Sequence, residues 1–260
     1  MHELKFLSGE PYDTLVSKST LLTGLAAYLL MIAVCRKFMQ KREAYELKFP
    51  MQIYNAVQIA LNIYMIYGLL VLPTLTNPFG INVQYTARLE YFCFVHYLSK
   101  FLDFFDTLFI ILRKKKSQLT FLHVYHHASI GMIWGTMLYV GHGNGTATFG
   151  CLINSVIHLM MYSHYLWTSF GYTNPFKVLV TRAQLIQFAM CILHAVLVLC
   201  IETVLLRNLA WAQFIYHIQM LFLFGRFYVK TYKKSDGKVT LKKANGSATN
   251  GAEAAPIKAE

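Results

Sequence analysis

Residues 119–140 read LTFLHVYHHASIGMIWGTMLYV, and this stretch decides the fold. It is long and apolar enough to cross a bilayer core, which takes about 20 residues as a helix. Near its start stand His123, His126 and His127. On a helix these occupy positions i, i+3 and i+4, so all three share one face. A single histidine on an apolar helix is ordinarily a packed core residue. Three within five positions, where polar groups are costly, point to a site inside the membrane.

Working outward, the run is one of seven. The others cover about 15–34, 51–72, 89–112, 146–167, 176–206 and 209–232. The sixth exceeds a straight span, so its first part is expected to tilt or lie in the interface. Hydrophobic residues make up 56% of the 260 and the mean hydropathy is +0.41. Soluble domains hold roughly 45–50% apolar residues, so a water-soluble globular fold is excluded.

The net charge is +12, from 24 Lys+Arg against 12 Asp+Glu. The basic residues cluster in short connections: Arg36, Lys37, Lys41, Arg42 and Lys48, then Arg113 to Lys116, then Lys177 and Arg182, then Lys230, Lys233 and Lys234. That spacing reads as membrane topology, and no nucleic-acid partner is expected. The positive-inside rule puts these connections and the C-terminus in the cytosol and the N-terminus in the lumen. Residues 1–232 read as the membrane domain and 233–260 as a disordered basic cytosolic tail. The polar N-terminus has no signal-peptide pattern. Cys35, Cys93, Cys151, Cys191 and Cys200 read as small apolar side chains, without a disulfide framework. The sequons at Asn144 and Asn245 are expected to carry no glycan, one sitting in a short turn and the other in the tail.

Other polar residues fall inside the runs. The third carries Lys100, Asp103 and Asp106. Left unpaired against lipid, the three would cost about 8–10 kcal/mol together. They must face inward, and Lys100 and Asp103 are spaced to pair. The fifth carries Asn154, His158 and Tyr162 as one stripe, with His164 off it. The sixth carries Gln184 and Gln187 on one face. His96, His142, His194 and His217 read as structural or interfacial. Imidazole can bind a metal, move protons or attack a carbonyl. A di-iron desaturase or hydroxylase needs several separated histidine boxes, and this chain has one HxxHH. A single zinc on His123, His126 and His127 stays open, but adjacent histidines on a helix rarely meet tetrahedral geometry without a fourth ligand. No metal is expected. A seven-span transporter shares the topology but does not need these histidines opposite Asn154 and His158.

Four segments then combine: Lys100-Phe-Leu-Asp103-Phe-Phe-Asp106-Thr107, Gln118 to His127, Asn154 to Tyr162, and Thr181-Arg-Ala-Gln184-Leu-Ile-Gln187-Phe188. Together they resemble the very-long-chain and polyunsaturated fatty-acid elongases of the endoplasmic reticulum. Asp103 stands where many members carry Glu. The resemblance implies an all-α integral membrane fold of about seven transmembrane helices. Six would surround a narrow acyl tunnel open to the cytosol, with the first helix outside. It implies condensation of acyl-CoA with malonyl-CoA to a 3-ketoacyl-CoA, with loss of CO₂ and no cofactor. Ketoacyl reductase, dehydratase and enoyl reductase would complete the cycle, and a homodimer is a further expected association.

Site roles follow from the same resemblance and from imidazole chemistry. His126 is expected to accept the acyl group, with His158 opposite. His123 and His127 would orient the site or relay protons, with Asp103 or Asp106 fixing their tautomers and Lys100 as their counter-ion. Asn154, a second histidine or Gln184 would donate to the enolate. Gln118, Tyr162 and Gln184 are assigned to the substrate. Arg113, Lys114, Lys116 and Arg182 would meet the CoA phosphates, although topology explains them equally. Cys151, the rival nucleophile, lies two turns from His158, roughly 10 Å by helical rise. Val124 and Tyr125 within HVYHH resemble the polyunsaturated branch, which implies C18 or C20 polyunsaturated substrates.

Overall fold

The computed structural model describes residues 6–173, 175–201 and 204–233, and these contain helices and no strands. The helices are α1 (Tyr12–Leu15), α2 (Lys18–Met39), α3 (Lys48–Leu69), α4 (Leu72–Thr76), α5 (Ala87–Leu102), α6 (Phe104–Leu112), α7 (Phe121–Tyr139), α8 (Thr146–Ser169), α9 (Lys177–Ile201) and α10 (Val204–Tyr228). A π-helical turn, Val229–Lys233, follows. Contacts divide the chain into residues 1–221 and 222–260. In the second unit, the Arg226 guanidinium lies over the Phe222 ring. Apart from Lys233, the expected tail lies outside the described residues, as does its sequon at Asn245.

Local chemistry sets the helix starts. Ser17, Thr86 and Thr120 cap α2, α5 and α7 by accepting the backbone N–H three residues on, which satisfies a donor with no partner inside the helix. Arg36 and Lys37 occupy the last turn of α2, where cations complement the helix dipole.

Two sequence expectations change. The third run is not one helix. It breaks at Asp103, although neither Pro nor Gly is present there. The Tyr54 hydroxyl donates to the Leu102 carbonyl at 3.3 Å, and the Asp106 N–H turns to the Asp103 carbonyl at 3.2 Å. A side chain inserted into the helix ladder is a recognised cause of such a break. The sixth run ends early: α9 stops at Ile201, and Leu206 already belongs to α10. Glu202 and Thr203, between them, lie outside the described residues.

By length and mean hydropathy alone, α2 and α9 are the described helices able to cross a membrane. The other long helices carry polar side chains that lower their averages, and those side chains point inward. Gln58 is 0% exposed and Lys100 and Asp103 are each 2% exposed, whereas Leu30 is 63% and Phe49 70% exposed. Large apolar side chains on the outside, with these polar ones sheltered inside, suit lipid surroundings.

The two ends of the 1–221 unit differ. At one, Tyr45 N–H donates to the Leu112 carbonyl, Gln52 to the Ser169 carbonyl, and Arg113 reaches the Met51 sulfur. This end holds the basic connections. At the other end, loops and the N-terminal segment are tied together. Asn144 exchanges hydrogen bonds with the Thr86 backbone, His194 bonds the Phe79 carbonyl, and the Tyr97 hydroxyl donates to the Leu15 carbonyl. Gly80 and Gly145 both have positive φ, and a Cβ on Gly80 would overlap the Gly145 carbonyl. Asn144 is buried with its amide engaged, an arrangement that leaves no room for a glycan.

Candidate active site

α3 and α8 form the most extensive helix pair, and their polar faces meet the break at Asp103. Gln58 donates to Asp103 Oδ1 at 2.8 Å. The Tyr162 hydroxyl donates to Asp106 Oδ2 at 2.7 Å and lies 3.1 Å from Asp103 Oδ1. Lys100 Nζ sits 3.5 Å from Asp103 Oδ2, and His158 Nδ1 4.0 Å from the same oxygen. Asp103 therefore gathers donors from α3, α5 and α8. A buried carboxylate is costly unless compensated in this way.

Lys100 also donates to Asn154 Oδ1 at 3.0 Å. An ammonium has only donors, so it must face the amide oxygen. The Asn154 NH₂ is thereby turned away from Lys100 and left to donate elsewhere.

The three histidines of α7 are held separately. His123 Nε2 lies 2.8 Å from the Thr107 hydroxyl, which lies 3.0 Å from the Tyr28 hydroxyl on α2. α2 thus packs on α6 and α7 and reaches the site through one buried phenol, while Leu22, Leu29 and Val34 face outward. His126 Nδ1 lies 3.1 Å from the Tyr216 hydroxyl on α10. The His127 ring packs 4.3 Å from that of His123, centroid to centroid, and its Nδ1 is buried without a partner among the described residues. His158 lies within electrostatic range of His126.

The expected carboxylate partners of His123 and His127 do not appear. Thr107 takes His123, and Asp103 faces His158 instead. Tyr162, assigned to substrate from the sequence, is fully buried against both aspartates. Gln184 donates to the Met161 sulfur at 3.7 Å. Gln118, Lys114 and Lys116 are exposed on the α6–α7 connection, Arg113 is half-buried there, and Arg182 is exposed on α9. His164 is half-buried, with its Nδ1 unpartnered. Cys151 lies with its sulfur 3.4 Å from that of Cys93, in the apolar cluster with Leu138 and Trp134.

Sequence reasoning missed Tyr54, Gln58, Ser129 and Tyr216. Tyr54, Gln58 and Asn62 repeat every fourth residue in an otherwise apolar run, a signal that was available. Tyr216 stands among ordinary aromatic residues and had none. Among the described residues, no three His, Cys, Asp or Glu side chains are arranged to hold a metal ion.

A profile of the GNS1/SUR4 family matches residues 14–240. The chain belongs to that family. Within it, "Fatty acid elongase 5" of Leishmania major is 51% identical over 215 residues, covering 80% of this chain and 83% of that protein. "Fatty acid elongase 4" of Trypanosoma brucei brucei is 45% identical, covering 86% and 89%. "Very long chain fatty acid elongase 4" of Homo sapiens is 34% identical, covering 94% and 79%. This GNS1/SUR4 member carries its buried polar cluster, from Gln58 to Tyr162, wholly inside the matched region.

Proposed function

We propose that the protein is the condensing enzyme of fatty-acid elongation. It joins a C18 or C20 polyunsaturated acyl-CoA to malonyl-CoA and releases CoA and CO₂, giving a 3-ketoacyl-CoA two carbons longer. The observation that carries this reading is a pair of imidazoles on neighbouring helices. His126 has Nδ1 against Tyr216, and His158 has Nδ1 toward Asp103. Among the described residues neither Nε2 is hydrogen-bonded, which leaves each for substrate.

His126 Nε2 attacks the thioester carbon. The C–N bond forms, the C–S bond breaks, and CoA leaves as its thiolate. The product is an acyl-imidazolium, an activated acyl donor. Malonyl-CoA then loses CO₂, and its carbanion attacks the acyl carbon. The C–C bond forms, the C–N bond breaks, and neutral His126 returns. The Asn154 NH₂ donates to the malonyl thioester oxygen as negative charge gathers there. His158, steadied by Asp103, contacts the malonyl group opposite His126. No metal is needed in this sequence of bonds. The engagement of His123 with Thr107 and of His126 with Tyr216 supports a site built for acyl transfer.

In this reading the long helices span the endoplasmic reticulum membrane. Six surround an acyl tunnel and α2 lies outside. The end tied together around Asn144 and Gly145 is the closed lumenal end. The end bearing Arg113, Lys114, Lys116 and Arg182 is the cytosolic mouth, where CoA phosphates are met. The Lys and Arg asymmetry supports this orientation. The 3-ketoacyl product passes to the reductases and dehydratase of the cycle.

Microsomes holding the protein, given labelled malonyl-CoA and acyl-CoA, should form labelled 3-ketoacyl product. No incorporation with any acyl-CoA from C16 to C22 would favour a transporter. Intact-protein mass spectrometry with acyl-CoA alone should show an acyl adduct. Full activity with an unmodified mass would favour direct attack of the carbanion on the thioester. A preference for saturated C16 or C18 chains would overturn the polyunsaturated assignment alone. Stoichiometric zinc or iron by elemental analysis would overturn the metal-free reading.

A further inference from the structure

Two basic connections meet at one end of the 1–221 unit. The end of α2 and the α2–α3 connection carry Arg36, Lys37, Lys41, Arg42 and Lys48, and the α6–α7 connection carries Arg113 to Lys116. The Tyr45 N–H donates to the Leu112 carbonyl at 3.0 Å, so the two connections lie side by side. Nine cations are thereby gathered around one junction that holds two acids, Glu43 and Glu46. All nine are exposed except Arg113, which is half-buried. Among the described residues none of the nine has a carboxylate within ion-pairing distance.

Membrane topology asks for positive charge in each of these loops. It does not ask that the loops converge, nor that a cation be aimed. Arg42 is aimed. Its guanidinium lies 3.9 Å from the centre of the Phe38 ring, and its Nη1 donates to the Tyr45 hydroxyl at 3.3 Å. Phe38 and Tyr45 are themselves 48% and 41% exposed. Phe38 stands one turn beyond Val34, which also faces outward from α2. Arg42 is therefore held over a lipid-facing ring where the apolar run ends, which is the level of the headgroups. Its planar fork suits a phosphate, and holding it in advance lowers the entropy lost on binding. Like charges gathered in this way repel, and an anion seated between them removes that repulsion.

Acyl-CoA is one anion at this end, but it does not account for Arg42. That side chain lies on the outer flank of α2, and α2 packs on α6 and α7 outside the other helices in the reading above. A headgroup reaches the same flank directly from the bilayer. Clusters of roughly four to eight Lys and Arg beside a membrane-spanning helix attract anionic headgroups.

We propose that the junction of these two connections binds the phosphate headgroup of an anionic phospholipid, seated on Lys37, Lys41 and Arg42 at the outer flank of α2. Its place in the cytosolic leaflet rests on the orientation proposed above, whereas the binding surface does not.

The test is native mass spectrometry of the full chain in detergent, titrated with equal amounts of phosphatidylinositol and phosphatidylcholine. Phosphatidylinositol adducts should exceed phosphatidylcholine adducts by about tenfold or more. Lys37→Gln, Lys41→Gln and Arg42→Gln combined should lower that ratio roughly fivefold or more. Lys18→Gln removes a cation at the opposite end of α2 and should leave the ratio unchanged. If the triple variant fails to fold, wild type in about 1 M salt carries the test, because a Debye length of about 3 Å should collapse the preference. No preference in the wild type overturns the proposal. So does a ratio that the triple variant or the salt leaves intact, or an equal loss in Lys18→Gln. Adducts displaced by an equimolar amount of free CoA would return the junction to the substrate mouth and overturn it as well. Condensation is not read, so this result and the malonyl-CoA incorporation assay stand or fall separately.

Discussion

Glu90 and Asp103 are both carboxylates in α5 or at its end, and both are almost fully buried, at 1% and 2% exposure. Their surroundings differ. Glu90 takes one donor per oxygen, the Tyr12 hydroxyl at 2.9 Å and the Phe6 N–H at 2.7 Å. Both come from the N-terminal segment. Burial first, and then the neighbouring carboxylate, holds the Tyr12 phenol well above its ordinary range, so it stays a donor. Among the described residues each oxygen has its donor, and the arrangement ties the N-terminal segment to α5. Asp103 instead collects Gln58, Lys100 and His158 from three helices, with the Tyr162 hydroxyl, which donates to Asp106, 3.1 Å away. Two of those partners lead on: Lys100 to Asn154, and His158 to an Nε2 that bonds no group among the described residues. A buried acid with local, matched donors is a seal. A buried acid whose donors carry spare capacity toward a histidine pair is the frame of the reactive site proposed above.

That comparison can be broken in graded steps. The largest effect belongs to the reactive frame. His126→Ala should lower labelled malonyl-CoA incorporation by roughly 1,000-fold or more and abolish the acyl adduct. A smaller loss would move the nucleophile elsewhere. Next come the charges. Lys100→Met leaves Asp103 without its ammonium and should destabilise the protein by about 3–5 kcal/mol, read as a lower unfolding midpoint in detergent. Lys100→Met with Asp103→Asn should recover part of that loss while staying inactive. A double variant less stable than the single would show that the pair is not a unit.

Smaller effects sharpen the boundary between the two regions. Gln58→Leu removes a donor from Asp103 and should cost about 1–3 kcal/mol, with a fall in kcat that exceeds any change in KM. Tyr12→Phe strips one donor from Glu90 at a similar cost in stability. Its specific activity at low temperature should stay within about twofold of wild type, because the seal touches no reacting group. A large drop in kcat there would mean that the closed end takes part in catalysis. Cys151→Ala should have the least effect, a minor loss of packing of about 1 kcal/mol, with full incorporation of malonyl-CoA. Lost activity would revive a thiol nucleophile.

Much of this was legible in the chain itself. The apolar runs, the face shared by His123, His126 and His127, and the spacing of Lys100 with Asp103 follow from helical period and from the cost of polar groups in lipid. Those are local properties, and a sequence carries them directly. The family resemblance rested on the same local segments.

What only the tertiary structure decided is which of these groups meet. The break at Asp103 has no sequence signal, because a tyrosine from another helix makes it. Thr107, rather than an aspartate, holds His123, and Tyr216, ninety residues away in the chain, holds His126. Helical period says which residues share a face, but not which face of which neighbour it will meet. That depends on how α3, α8 and α10 pack, and packing is settled by the sum of all their contacts rather than by any one stretch of sequence.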